Sequence, residues 1–195
     1  MDAVVLQEWI PALALAIALA ACAGLRAWLP LLLAGGMART GLLELGESFQ
    51  FLTSDKALIL FLVATLVEVT ADKIPALDHA LDALSTVLRP AAGSLLAAAV
   101  IGRFADPLTA VALGIAVGAP TSFVPHALKS VVRATATTLT GGLANPVISV
   151  VEDVSTFTLV ILSVLVPTLV VALLAAAAYL LLRRRRDRPG APVPA

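Results

Sequence analysis

Two sets of ionisable side chains stand out in an otherwise apolar chain. The acidic set contains Glu68 and Asp72, followed closely by Lys73, Pro75 and Asp78, and later Asn145, Glu152 and Asp153. Glu68 and Asp72 are four residues apart, so they share a face of any continuous helix. Two neighbouring carboxylates resist double ionisation unless a cation or a shared proton sits between them. Oxygen-only ligation of that kind suits a hard ion such as Na⁺, Mg²⁺, Ca²⁺ or Mn²⁺. Glu152, Asp153 and Asn145 offer further oxygens, and the sequence leaves the identity of any metal open. The basic set is Arg26 with His126, Lys129 and Arg133, the last three at i, i+3 and i+7 on one helical face. If they converge, their planar guanidinium forks match a phosphate or a carboxylate, a lipid headgroup included, and His126 offers a proton relay. The plainer reading is that the two sets neutralise each other in a buried ion-pair lattice.

Covalent chemistry has little support. Ser85, Ser94, Ser122, Ser130 and Ser149 lack the context of a nucleophile elbow, and Cys22 lies in an apolar run without a basic neighbour to make a thiolate. No phosphate loop, dinucleotide fingerprint or zinc motif occurs. The expectation is a protein that is not an enzyme and uses no cofactor.

The elements that must position these charges are set by composition. The 195 residues are 60% hydrophobic and only 13% charged, with a mean hydropathy of +1.01. Such a chain belongs in a bilayer, where an ionised side chain near the centre costs at least ~2.5–3.5 kcal/mol and so pairs, neutralises or lines a wet path. The apolar residues come in long blocks instead of the alternation of barrel strands, which predicts helices. The net charge of zero conceals an asymmetry, because five of the thirteen basic residues are Arg183, Arg184, Arg185, Arg186 and Arg188. Leu19-Ala20-Ala21-Cys22 has the pattern of a lipoprotein cleavage site, but the N-terminus carries Asp2 and Glu8 and no basic residue before Arg26. A buried thiol on a helix is the better reading, and a lone cysteine forms no intrachain disulfide.

Apolar periodicity predicts an all-α, polytopic transmembrane bundle of about five spans, near 11–34, 57–74, 91–104, 107–125 and 156–182. The first is broken around Gly24, Arg26 and Pro30, and the fourth is bent by Pro120 and Pro125. Thr135 to Gly142 reads as a loop or helix end, and Asn145-Pro146 as the start of a helix too short to span before Glu152. Residues 1–182 form one transmembrane domain and 183–195 a disordered basic tail. Clustered arginines after a span are retained inside, which places the C-terminus in the cytoplasm; five spans then put the N-terminus on the opposite side. The halves invite comparison as a repeat: Arg26 with Pro30 and then Glu68 with Asp72, against Pro125 with Lys129 and Arg133 and then Glu152 with Asp153. Broken helices at matching places in two halves point to a transporter site.

Taken together, Gly24-x-Arg26-x-x-x-Pro30, Glu68-x-x-x-Asp72-Lys73-x-Pro75-x-x-Asp78, Arg89-Pro90-x-x-Gly93, His126-x-x-Lys129-x-x-x-Arg133 and Asn145-Pro146-x-x-Ser149-x-x-Glu152-Asp153 resemble the bacterial membrane-protein family catalogued as domain of unknown function 4126, over about residues 10 to 175. The resemblance implies a bacterial membrane protein and brings no reaction or substrate; the helical spans and the arginine tail lead to the expectation of the inner membrane. From the residues, the expected function is a small transporter or channel-like protein whose acidic and basic polar centre handles a cation, a proton or a small solute. The alternatives are a non-transporting scaffold or assembly factor, in which the charges only form buried ion pairs, and a lipid or polyprenyl-phosphate translocase. Expected partners are membrane lipids and a second copy of the chain, with no nucleic acid.

Overall fold

A computed structural model describes residues 3–73, 75–167, 176, 179, 180 and 183, with side chains from residue 8 onwards and none for 74–83. Among the described residues the chain is helical, without strands: α1 (Ala3–Leu25), α2 (Trp28–Arg39), a 3₁₀ helix (Glu47–Thr53), α3 (Asp55–Ala71), α4 (Pro75–Ile101), α5 (Pro107–Thr140) and α6 (Asn145–Leu165). The windows Glu8–Leu25 and Leu84–Ile101, with α5 and α6, are long and apolar enough to cross a bilayer. Helix α3 has 17 residues, about 25 Å at 1.5 Å per residue.

From Trp9 to Leu25 helix α1 is apolar on every side, and it is therefore central. Ala16, Ala18, Leu19, Ala20, Ala21, Cys22 and Ala23 are all buried, and α4, α5 and α6 pack around it. The most extensive packing joins α4 to α5, where Gly114, Gly118 and Ser122 repeat every fourth residue on α5. A Cβ on Gly114 would stand 2.6 Å from the Ala98 Cβ, and one on Gly118 would strike the Gly93 carbonyl. In lipid, where burial of apolar surface no longer drives helices together, such small-residue seams hold them by close backbone approach.

The outer helices are polar inside and apolar outside. On α6 the buried residues are Asn145, Ser149, Glu152, Thr156, Val160 and Ser163, while Val147, Val150, Val151, Val154 and Phe157 face outward. On α5 the buried line runs Ala110, Gly114, Gly118, Ser122, His126, Lys129, Arg133. That inversion of the usual pattern is what hydrocarbon surroundings require.

Several element boundaries differ from the sequence expectation. The stretch 11–34 forms two helices, because the ring of Pro30 obstructs the carbonyl four residues back, that of Arg26. Helix α2 then returns toward the end from which α1 came. Arg39 at its end pairs with Asp55 at the start of α3, and Glu8, Leu43, Glu44, Arg103, Val164 and Pro167 line one recess. The chain therefore enters α1 and leaves α6 at the same end of the bundle, not at opposite ends. Helix α5 continues through the threonines, since Thr135, Thr138 and Thr140 donate back to the carbonyls of Val131, Ala134 and Ala136. Gly141 in the left-handed conformation, φ 63°, ends it. Helix α6 runs unbroken across Glu152-Asp153, because those carboxylates find cationic partners inside the bundle. The segment between α2 and α3 contributes the 3₁₀ helix, with Phe49 and Leu52 buried. Residues 168–175 and the tail after Arg183 lie outside the described residues.

Candidate functional site

Asp72 ends α3, 17 residues after Asp55 and so about 25 Å along the helix from the charged end. There it meets three cations at one carboxylate oxygen, Oδ2. Arg26 Nη1 makes the closest contact, with Lys129 Nζ at 3.2 Å and Arg133 Nη2 at 3.1 Å. Glu152 Oε2 takes the same three, with Lys129 at 2.9 Å, Arg133 at 3.0 Å and Arg26 at 3.8 Å. One turn of α6 earlier, Ser149 accepts from Arg26 Nη2 through its hydroxyl at 2.8 Å and its carbonyl at 3.2 Å. Asp153 Oδ1 lies 2.8 Å from the same nitrogen. Lys73 Nζ reaches Asp153 at 3.3 Å and the Val69 carbonyl at 2.9 Å. The side chains of Arg26, Asp72, Lys129 and Arg133 are at most 3% exposed, whereas Asp153 and Lys73 are 21% and 37% exposed and form the edge of the cluster.

Glu68 does something different. Helix α2 has no side-chain cap of its own, Ala27 occupying the N-cap position. The Glu68 carboxylate supplies one from another helix, accepting from the Ala27 N–H at 3.0 Å and the Trp28 N–H at 3.2 Å. A carboxylate against the first N–H groups of a helix satisfies orphan donors and meets the positive end of the helix dipole. On its other side Glu68 lies 3.8 Å from Arg89 Nη2. Arg89 Nη1 is 2.8 Å from His126 Nδ1, and His126 Nε2 is 3.2 Å from the Thr86 hydroxyl. Because a guanidinium can only donate, Nδ1 accepts and the ring proton sits on Nε2, facing Thr86.

The structure thus brings Arg26, Asp72, Lys73, Lys129, Arg133, Glu152 and Asp153 into one cluster, joining the two halves that the sequence set side by side. Glu68 and His126 are placed beside it, on the α2 terminus and on Arg89. Asn145 is buried but engages Thr137 at 2.9 Å and not the ions. The Asp78 side chain lies outside the described residues. Among the described residues no group of three or more His, Cys, Asp or Glu is arranged to hold a metal ion; the Glu68 carboxylate faces backbone N–H groups, and Asp72 Oδ2, Glu152 Oε2 and Asp153 face Arg or Lys. Sequence reasoning missed Arg89 and Ser149 as participants. Ser85, Arg89, Ala92, Leu96 and Ala99 are all buried at intervals of four, three, four and three, so Arg89 was detectable as a charge in phase with a core face.

What the arrangement can do follows from its balance. Arg26, Lys129 and Arg133 are each held by carboxylates from two helices, so removing or neutralising one member leaves buried charge without its full complement of partners. The cluster also sits where α1 breaks, with Arg26 between the two helices.

The family model described as Domain of unknown function (DUF4126) matches residues 13–186, and the chain belongs to that family. No curated protein and no solved structure matches it.

Proposed function

Starting from membership of a family whose description carries no activity, we propose that this multi-pass membrane protein is a small transporter-like protein, not an enzyme, in which a solute or ion exchanges with the internal salt bridges at the α1–α2 break. The observation that carries the reading is the half-helix α2, 12 residues long, which begins inside the bundle at a cluster of buried ion pairs. Discontinuous helices whose N-termini face a charged centre are the building blocks of transporter sites. The arginine-rich tail supports a cytoplasmic C-terminus in a bacterial inner membrane.

A second reading is favoured by Glu68. Its two oxygens are engaged by the α2 backbone, as they would be if the charges served only to fix helix packing in a scaffold. Water access separates the two. Cys22 is the chain's single cysteine, so a Cys22→Ala background carrying Ser149→Cys places one thiol at the centre. In sealed vesicles the transporter reading predicts modification by a membrane-impermeant thiol reagent, through states that open Ser149 to water. A thiol that stays unreactive from both sides while the protein is folded would leave the scaffold.

A further inference from the structure

Three cations converge on Asp72 and Glu152, and they are not equivalent. A guanidinium stays protonated under any condition a protein tolerates, so Arg26 and Arg133 are fixed charges. Lys129 is the one that can become neutral. Its Nζ lies 2.9 Å from Glu152 Oε2 and 3.2 Å from Asp72 Oδ2, and its side chain is 2% exposed. The charged or titratable groups around it come from every packed element. They are Arg26 at the α1–α2 break, Asp72 and Lys73 at the end of α3, Arg89 on α4, His126 and Arg133 one turn either way on α5, and Glu152 and Asp153 on α6. Asp78, His79 and Asp82 on α4 lie outside the described side chains. Like charges this close repel strongly at low dielectric, and among the three cations only a lysine can relieve that by losing a proton.

Resting on the transporter reading above, we propose that the ion handled by this site is the proton and that the Lys129–Glu152 pair carries it. In the ionic form an ammonium faces a carboxylate. On transfer one N–H bond of Lys129 breaks, its electron pair stays on nitrogen, and one O–H bond forms on Glu152 Oε2. An amine and a carboxylic acid result, with the total charge unchanged. The acid then releases its proton to water at the Asp153–Lys73 edge, and uptake retraces the same steps. Each transfer also loosens the Lys129 contact with Asp72. That weakens one of the three holds on the carboxylate clamping Arg26, coupling the proton to the break between α1 and α2.

The test is infrared difference spectroscopy of the full-length protein in phosphatidylethanolamine–phosphatidylglycerol nanodiscs, comparing mildly acidic with mildly alkaline buffer. The expected result is a protonated-carboxyl band that shifts in heavy water, disappears in Glu152→Gln, and is lost over the same range in Lys129→Arg, whose permanent charge keeps Glu152 ionised. The proposal is overturned if no such band appears, if the band survives Glu152→Gln, or if Lys129→Arg leaves it unchanged. Should Lys129→Arg fail to fold, the wild type answers by itself. The chain has only the lysines Lys56, Lys73 and Lys129, and nitrogen-15 lysine NMR must show Lys129 as a neutral amine in the buffer where the protonated-carboxyl band is present; an ammonium signal for Lys129 there overturns the proposal. An unreactive Ser149→Cys alongside a responding Glu152 band would end the transport reading and keep the proton site, and the reverse pattern would do the opposite.

Discussion

Arginine meets aspartate at both ends of α3, and the two meetings have different weight. At the start of the helix Arg39 pairs with Asp55, and nearby Arg103 pairs with Glu44; those carboxylates are 76% and 72% exposed. At its end Arg26 pairs with Asp72 where neither side chain is more than 1% exposed. Water screens the first pairs, and such contacts contribute about 0–1 kcal/mol. At the second, deleting one partner strands a charge in a dry interior, a loss of about 3–5 kcal/mol. The chemistry is identical and the surroundings decide, so the outer pairs decorate a helix start while the inner ones lock five helices together.

The comparison breaks most readily at Asp72. Asp72→Ala leaves Arg26, Lys129 and Arg133 short of a shared counter-charge and should destabilise the detergent-solubilised protein by about 3–5 kcal/mol, read as a large fall in thermal unfolding temperature; an unchanged temperature would mean that the cluster carries no structural weight. Next comes Gly118→Val, whose side chain would enter the Gly93 backbone. Overpacking of that kind costs about 1–3 kcal/mol, checked by the same melt, and the opposite outcome would show that α4 and α5 separate easily. Glu68→Ala removes the cap on α2, by itself worth about 0.5–2 kcal/mol, and also takes a carboxylate from beside the buried Arg89, so the loss should exceed that of the cap alone, with Glu68→Gln, which keeps an acceptor, recovering part of it. Arg39→Ala should move stability by no more than about 1 kcal/mol, and less at high salt.

The smallest effect belongs to Asp106, which caps α5 at the exposed end. Hydrogen bonds from Thr109, side chain and backbone, and from the Leu108 N–H hold its carboxyl below the ordinary value. A lowered carboxyl contributes above its unfolded value and loses that contribution as pH falls through the folded one. The cap should therefore weaken only in acid, and Asp106→Asn should remove that dependence while keeping the cap, as a melt series against pH would show.

The helical fold and the residues of the cluster were legible in the sequence because hydrocarbon leaves few options for charge. Arg26, Asp72, Lys129, Arg133, Glu152 and Asp153 had to find one another, and apolar blocks had to be helices. Boundaries were less legible. Glu152-Asp153 looked like the end of a short helix, since a one-dimensional hydropathy reading assigns a carboxylate pair to water and cannot see cations waiting on α5. The threonines after Arg133 read as a loop or a helix end because their hydroxyls can bond back to the helix or away from it, and the sequence does not say which. Glu68 and Asp72 looked like a pair because helical spacing places them on one face. They part company because the α2 terminus, 40 residues away in sequence, takes the first of them.

The most direct test is a double-mutant cycle on Asp72→Asn and Glu152→Gln, read by reversible unfolding in detergent. Both carboxylates draw on Lys129 and Arg133, so the two changes should be coupled well beyond the ~0.5 kcal/mol within which independent sites add. Additivity within that margin would show two separate ion pairs and contradict a single shared centre.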